Sequence, residues 1–302
     1  MSAVPGWLWI VFTIAAAGAQ TARNAMQRDL IATLGTSGAT FVRFLYGLPF
    51  ALVFLALVST ASGLRPPMPG AAAFVWTLVG AICQIAATGL MLAAMKEKSF
   101  VVAIAYTKTE PVQVALFGLF FLGDRITSGL AAAIAIATIG VMVMSWPKRA
   151  SEPANGPGWR PAIYGLVSAA LFALSAIGYR AGILALGAPN FVIGASTILA
   201  LALALQSLLI VVGMSLANRR GLAAILAAWR PSLLAGFMGA LASQFWFLAF
   251  AIDTAARVRT LALIEMIFAQ IVTKRIFQQT TSARELAGMA IMIAGVVLLF
   301  WT

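Results

Sequence analysis

The feature that most constrains this chain is a series of ten apolar runs, each of bilayer-spanning length. About 20 predominantly apolar residues in a helix match the thickness of the hydrocarbon core of a membrane. A helix also satisfies its backbone hydrogen bonds within one segment, so it can lie in lipid without unpaired polar groups. The sequence therefore predicts an all-α membrane protein with ten transmembrane spans. We number them 1 to 10, with approximate bounds 6–28, 37–62, 70–95, 99–122, 127–146, 161–186, 189–216, 231–252, 256–277 and 283–302.

The composition supports this prediction and limits the possible partners. The chain of 302 residues is 62% hydrophobic and only 9% charged, against about 25% charged residues in a soluble protein. The ten spans leave no room for a soluble domain. The net charge of +12 lies mostly in short gaps between apolar runs. It therefore indicates membrane orientation, and no nucleic-acid partner is expected.

Few residue types are present that could carry covalent or metal chemistry. The chain has no histidine and a single cysteine, Cys83, so no internal disulfide can form. The sequence predicts no metal site, no cofactor and no enzymatic activity. The first apolar run lacks a basic segment before it, so we expect it to be retained as a helix and not cleaved as a signal peptide.

The chain contains a distant internal repeat. The stretch from Phe100 to Trp146 returns as Ala255 to Trp301 at a constant offset of 155, with Glu110 falling on Glu265. We interpret residues 1–146 and 161–302 as two five-span repeats joined by a polar, Pro- and Gly-rich linker at 147–160. An odd number of spans forces the second repeat to enter the membrane from the opposite side, so the repeats are predicted to be inverted. Inverted repeats are typical of secondary transporters, whose sites lie near the bilayer midplane.

Charged residues inside the spans indicate where the site lies. Exposing all of them to lipid would cost on the order of 15–20 kcal/mol, so they must pair with each other or face a hydrated cavity. The set carries a net positive charge, which favours a substrate bearing carboxylate or phosphate, and the arginine fork matches such groups. The members within spans are Arg23, Arg43, Lys108, Glu110, Arg180 and Glu265.

Polar and aromatic side chains near these charges complete the predicted site. Span 1 carries Asn24 on a polar stripe, although span 1 ending near Gln20 is an alternative. Span 3 aligns Trp76, Gly80, Gln84 and Thr88 at i+4 spacing, as either a helix seam or a cavity wall. The predicted substrate-binding residues are Arg23, Asn24, Arg43, Trp76, Gln84, Tyr106, Lys108, Arg180, Gln244 and Trp246.

The two glutamates at equivalent repeat positions allow two interpretations. Glu110 and Glu265 either form structural ion pairs or exchange a proton for substrate, with Arg257 as a further member of this group. Lys108 and Glu110 lie two residues apart on a helix, so they are not expected to be partners.

Several motifs resemble the EamA-type family of the drug/metabolite transporter superfamily. They are Phe41–Leu45 (FVRFL), Glu110–Val112 (EPV), Leu122–Thr127 (LGDRIT) and Gly140-Val141. The second repeat departs from the pattern, with Met266 where the family has proline. The resemblance implies ten helices in two repeats and secondary transport, often export, of small metabolites. It also implies that both termini face the cytoplasm, whereas the charge distribution between spans favours the opposite orientation.

The predicted function is secondary transport, by export or exchange, of a small anionic or zwitterionic metabolite through a multi-pass protein of the inner cell membrane. Alternating access would rock spans 1–4 against spans 6–9 around a central charged cavity. The small-residue spans 5 and 10 would act as scaffold or as a homodimer interface. Efflux of lipophilic cations is the alternative, and a membrane-embedded enzyme is disfavoured.

Overall fold

The computed structural model describes residues 5–97, 107–144, 159–268, 270–271 and 282–302, which form helices joined by short turns. The helices are α1 (Leu8–Leu45), α2 (Gly47–Ser62), α3 (Ala71–Glu97), α4 (Glu110–Phe117), α5 (Ser128–Met144), α6 (Trp159–Leu186), α7 (Phe191–Ala217), α8 (Arg219–Ala227), α9 (Trp229–Ile252), α10 (Ala255–Leu261) and α11 (Ala283–Leu299). A π-helical turn, Gly118–Leu122, extends α4, and a 3-10 turn, Ala262–Ile264, follows α10.

Several helices have the length and composition of membrane spans. Within the described ranges, five are long and apolar enough to cross a bilayer, and they correspond to predicted spans 2, 3, 6, 7 and 8. Two shorter apolar helices, Glu110–Leu122 and Ser128–Met144, fall in predicted spans 4 and 5. Parts of spans 4, 5 and 9, and most of the linker, lie outside the described residues. The number of ten spans stays a prediction.

The boundary between predicted spans 1 and 2 is a kink inside α1. The helix continues through the polar stripe at Arg23 and Asn24, so span 1 does not end near Gln20. The kink lies at Gly35, whose φ of 68° is a conformation that glycine adopts without a steric penalty. A second break follows at Tyr46, because Pro49 has no N–H to donate to the carbonyl of Leu45.

The chain divides into two compact units. Unit 1 contains residues Met1–Ile82 and Gly178–Asp253, and unit 2 contains Cys83–Ile177 and Thr254–Thr302. Each unit therefore takes segments from both predicted repeats. In unit 1, α1 packs along α9, and α2 packs against α7 and α9. In unit 2, α4 packs against α10, and α5 packs along α11.

Glycines allow α5 and α11 to approach each other closely within unit 2. A Cβ atom at Gly140 would lie 2.3 Å from the backbone nitrogen of Met292, and one at Gly295 would lie 2.4 Å from that of Ala137. Pairing 140 with 292 and 137 with 295 shows that the two helices are antiparallel. The repeat offset of 155 relates Ala137 to Met292 and Gly140 to Gly295. Each of the two contacts is therefore the repeat equivalent of the other. Such reciprocity is expected of a twofold relation.

The small-residue faces predicted to mediate close packing are thus used inside the chain, between spans 5 and 10. The other helix pairs also correspond between the two predicted repeats. Spans 2 and 7 pack together as repeat mates, as do spans 4 and 9. Span 1 packs against span 8, and span 3 packs against span 6 at Gly178, where a Cβ atom would lie 2.8 Å from the carbonyl oxygen of Trp76. An inverted duplication predicts this pattern, and the two inverted repeats stay a prediction.

Candidate functional site

The interior of unit 1 contains two neighbouring arginines from α1. A Cβ atom at Gly239 of α9 would lie 3.4 Å from Cδ of Arg23 and 3.3 Å from Cβ of Arg43. Both side chains therefore contact the same glycine, and Arg23 lies within electrostatic range of Arg43. Arg23 is 7% exposed. Small size at position 239 gives these two long side chains the space they occupy against α9.

Hydrogen bonds and ring contacts orient the arginine side chains. Asn24 Oδ1 accepts from Arg23 at 2.7 Å from Nη2 and at 3.3 Å from Nε. The guanidinium of Arg43 lies over the ring of Phe44, 4.4 Å from its centre. Tyr179 is a further electrostatic neighbour of Arg43. We name Arg23, Asn24 and Arg43 the arginine cluster.

Buried amides and aromatic side chains surround this part of unit 1. Trp246 Nε1 donates to Gln20 Oε1 at 3.2 Å, which links α9 to α1. Gln244 Nε2 donates to Ser196 Oγ at 2.9 Å, and Gln206 Nε2 donates to the Tyr179 hydroxyl at 2.9 Å. These bonds hold the polar ends of large side chains at defined positions between α1, α6, α7 and α9.

The side-chain oxygen of Gln244 is a candidate contact for a substrate. Within the described residues, Gln244 Oε1 is buried and has no hydrogen-bond partner. Gln244 as a whole is 8% exposed. A buried amide oxygen without a donor is unfavourable by about 1–3 kcal/mol, so a substrate or water donor at this position would be stabilising.

Arg180 has a defined structural partner at the end of α9. Its Nη1 donates to the carbonyl oxygen of Phe250 at 2.9 Å and also to that of Asp253. These carbonyls belong to the last turn and the C-cap of α9, where helix carbonyls lack intrahelical donors. A cation at this end of a helix is favourable. Arg180 therefore caps α9, and its contact with a substrate stays a prediction.

The span 3 stripe lies along a helix seam. Trp76 is half-buried and its carbonyl faces Gly178, as described above. Farther along α3, in unit 2, Ser168 Oγ donates to the carbonyl of Ala87 at 2.7 Å. Gln84 is half-buried, and its carbonyl accepts from Thr88 at 2.8 Å. The contacts at Gly178 and Ser168 favour a helix seam along α3, whereas the Thr88 bond lies within the helix.

Unit 2 contains a separate cluster of four charges, which we name the ion-pair cluster. Arg259 donates to both carboxylate oxygens of Glu110, from Nε at 2.7 Å and from Nη2 at 2.6 Å. Lys108 Nζ forms an ion pair with Glu265. Each repeat-related glutamate thus binds a cation from the opposite span, and Lys108 and Glu110 are not partners.

The local helix geometry brings Arg259 and Glu265 to one side of the chain. On a regular α-helix, six residues of separation would leave them about 120° apart around the axis. The 3-10 turn Ala262–Ile264 advances the chain about 20° more per residue, which reduces this angle to about 60°. Glu265 lies within electrostatic range of Arg259. The two ion pairs therefore form one network.

Sequence reasoning identified most members of both clusters but omitted several. Arg259 lies near the start of span 9 and is not among the predicted site residues. The predicted residue Arg257 would share a face with Glu265 on a regular α-helix. Arg257 is half-buried near the start of α10, and its backbone N–H donates to Thr254 Oγ1 at 3.4 Å. Tyr106 lies outside the described residues. The further omitted residues are Gln20, Tyr179, Ser196, Gln206 and Gly239.

No group of three or more His, Cys, Asp or Glu side chains suited to a metal ion occurs among the described residues. The polar groups present are arginine, lysine, glutamate and amide side chains. Such groups can bind charged and polar partners.

Comparison with known proteins assigns the first part of the chain. Residues 6–146 match the model of the EamA-like transporter family. This stretch, which is just under half of the chain, is therefore similar to the EamA-like transporter family. The matched region includes Arg23, Arg43, Lys108 and Glu110, and the family is one of membrane transporters.

The fold of nearly the whole chain is similar to that of a solved structure. A solved crystal structure aligns with 97% of this chain and 95% of its own, with a TM-score of 0.70 and 13% sequence identity. At this identity the likeness concerns the fold alone. No curated protein matches the chain. The apolar helices and the EamA match together point to a multi-pass membrane protein.

Proposed function

We propose that this EamA-like protein is a secondary transporter of a small organic metabolite that carries a carboxylate or phosphate group. Transport proceeds by alternating access, as export or exchange, in the inner cell membrane. We infer the substrate class from the arginine cluster of unit 1, in which Arg23 and Arg43 contact the same glycine, Gly239.

The charge balance of unit 1 favours an anion. Its sequence contains eight lysines and arginines and two acidic residues, a net charge of +6. An arginine fork can form two parallel hydrogen bonds with a carboxylate or phosphate. In surroundings of low dielectric such bonds are stronger than in water. An anion that reaches Arg23 and Arg43 would therefore relieve the repulsion between two like charges.

The neighbouring groups favour an organic anion with a polar part. Gln244 Oε1 is an acceptor that a substrate N–H or O–H would satisfy. Trp246 and Tyr179 present aromatic surface, with the Trp246 ring 6.4 Å from Phe250 and the Tyr179 ring 4.8 Å from Phe247. A zwitterionic or hydroxylated metabolite with an apolar portion suits this combination.

The ion-pair cluster supplies a candidate coupling element. Its two cations and two carboxylates balance, so the formal net charge of the cluster is zero. Protonation of Glu265 would release Lys108 from its ion pair, and protonation of Glu110 would release Arg259. Either change would leave a buried cation that could bind an anion. Such an exchange would link proton binding to substrate movement. The described carboxylates of this cluster are engaged with cations, which disfavours lipophilic cations as the cargo.

A binding and transport experiment tests the substrate class. Purified protein would be screened by thermal shift against carboxylates, phosphate esters, amino acids and cationic dyes. The best ligand would then be followed into proteoliposomes. We expect anionic or zwitterionic compounds to stabilise the protein. We also expect Arg43→Gln and Arg23→Gln to lower transport at least tenfold, mainly through KM.

Arg65→Gln is the matched control, because Arg65 is exposed and follows α2 outside the arginine cluster. It should transport at the wild-type rate. Stabilisation by cationic dyes alone would overturn the proposal, and so would unchanged anion transport by both cluster variants.

A further inference from the structure

A short helix that sequence analysis did not predict lies between α7 and α9. Helix α8, Arg219–Ala227, begins one residue after α7, with Asn218 Oδ1 accepting from the N–H of Gly221 at 2.9 Å as its N-cap. Helix α8 connects α7 and α9, two helices of membrane-spanning length, so we expect it to lie at one surface of the membrane. Its side chains are strongly segregated into polar and apolar faces, as in helices that lie in the membrane interface.

One face of α8 is anchored to the core of unit 1. Ile225 is 1% exposed and packs in a core cluster with Leu30, Val42 and Ala235. The hydroxyl of Tyr46 donates to the carbonyl of Ile225 at 2.9 Å. These contacts fix the position of α8 against α1, so the groups around it form a defined surface.

That surface combines cations with exposed apolar groups. Arg219 and Arg220 start α8, and Arg230 follows it; all three are exposed. The guanidinium of Arg230 lies over the ring of Trp229, 5.2 Å from its centre. Trp229 is 48% exposed. The stretch from Phe191 to Ile252 contains these three arginines and no acidic residue, so no carboxylate within it competes for them.

An open groove of about 330 Å³ begins at Pro231, the residue that follows Arg230 in the chain. It is lined by Met26, Leu30 and Thr33 of α1 and by Pro231 and Leu234 of α9. The lining is apolar apart from the Thr33 hydroxyl, which donates to the carbonyl of Leu30 at 3.2 Å. The volume is at the lower end of the range for ligand sites, about 300–1,000 Å³. Pro231 and Leu234 belong to the first turns of α9, so the groove runs from Arg230 along the helix.

We propose that this groove and Arg230 form a binding site for one anionic phospholipid. An acyl chain occupies the groove between α1 and α9, and the headgroup phosphate binds the guanidinium of Arg230. Trp229 holds that guanidinium and lies at headgroup level, where tryptophan is enriched. Arg219 and Arg220 attract further anionic headgroups of the same leaflet. A lipid fits better than a soluble anion because the cation and the apolar groove are continuous.

Native mass spectrometry of the purified full-length protein tests the proposal. The protein would be titrated with phosphatidylglycerol, with phosphatidylcholine, and with glycerol phosphate as the headgroup without chains. We expect retention of one phosphatidylglycerol in preference to phosphatidylcholine, and no retention of glycerol phosphate. Arg230→Gln should weaken phosphatidylglycerol binding at least fivefold, and Leu234→Trp, which fills the groove, should do so as well.

Arg65→Gln is again the control, since it removes one exposed positive charge at the other end of unit 1. The end of α2, just before Arg65, lies beside the start of α7, because residues 58, 61 and 62 line a surface groove with it. Helix α8 follows the opposite end of α7. The control should bind phosphatidylglycerol as the wild type does. Should Leu234→Trp fail to fold, Arg230→Gln and Arg230→Lys carry the test. Equal binding by Arg230→Gln and wild type would overturn the proposal, as would equal weakening by Arg65→Gln or tight binding of glycerol phosphate.

Discussion

Arg259 and Glu110, which lie 149 residues apart in the chain, form a bidentate ion pair between α10 and α4. The two donor–acceptor distances are 2.6 and 2.7 Å. Side-chain exposure is 21% for Arg259 and 12% for Glu110. Breaking a largely buried pair by removing one partner leaves a charge without compensation, which is costly. This pair therefore fixes the contact between α4 and α10 within unit 2.

Arg259→Met should destabilise the protein by about 3 kcal/mol, because it leaves the Glu110 carboxylate without its main partner. Glu110→Leu should have an effect of similar size, because it removes the carboxylate that pairs with Arg259. The double variant should lose clearly less than the sum of the two, since neither charge is then left alone. Unfolding in mild detergent would measure the cycle, and additive effects would contradict the importance of the pair.

Coupling to protons is tested by neutral replacements of the two glutamates. Glu265→Gln and Glu110→Gln should abolish the dependence of uptake on a pH gradient in proteoliposomes, because an amide cannot exchange a proton. Exchange of labelled substrate without a gradient should persist. Glu285→Gln serves as the control, as glutamine at this position keeps the capping box of α11. Wild-type pH dependence in both cluster variants would show that the glutamates have no proton role.

Close packing of α5 on α11 predicts a strong effect of one added methyl group. Gly140→Ala places Cβ 2.3 Å from the backbone nitrogen of Met292, and backbone cannot move aside as a side chain can. We expect a loss of about 1–3 kcal/mol in unfolding free energy. Gly213→Ala in α7 is the matched control, because no heavy atom lies within 4 Å of its added Cβ. Equal thermal midpoints for the two variants would contradict the described packing.

Capping of α9 predicts the behaviour of Arg180 variants. Arg180→Gln removes a cation that donates to the carbonyl oxygens of Phe250 and Asp253, so it should lower stability by about 2 kcal/mol. Arg180→Lys should restore part of this stability, since an ammonium group is also favourable at a helix C-terminus. Thermal unfolding measures both. If Arg180→Gln melts as the wild type does and raises only the KM for substrate, a binding role would replace the cap.

Much of the fold was predictable from the sequence because helix formation in lipid depends on local hydrophobicity. The bounds of α3, α7 and α9 lie within two residues of spans 3, 7 and 8. Helix α8 was missed because it is too short and too polar to be a span. Its signal was nevertheless present: Asn218 as a cap, two arginines, and Leu222, Ile225 and Leu226 at helical spacing.

The site was predictable only in part. Unpaired charge in lipid is unfavourable wherever it lies, so the sequence singled out Arg23, Arg43, Glu110 and Glu265 as groups that need partners or water. It assigned Arg257 as a member of the glutamate group on the assumption of a regular helix. The 3-10 turn after α10 changed the angular positions and brought Arg259 into the network with Glu265. No local pattern revealed this turn.

The sequence by itself determined the class of protein, the positions of most helices and the recurrence of Glu110 as Glu265, because these follow from the order of apolar and polar residues along the chain. Only the tertiary structure decided which cation binds which glutamate, that Arg180 caps α9, and that Gly239 contacts both Arg23 and Arg43. Each of these is a contact between helices far apart in sequence. Its geometry depends on how the helices cross, which composition and periodicity do not specify.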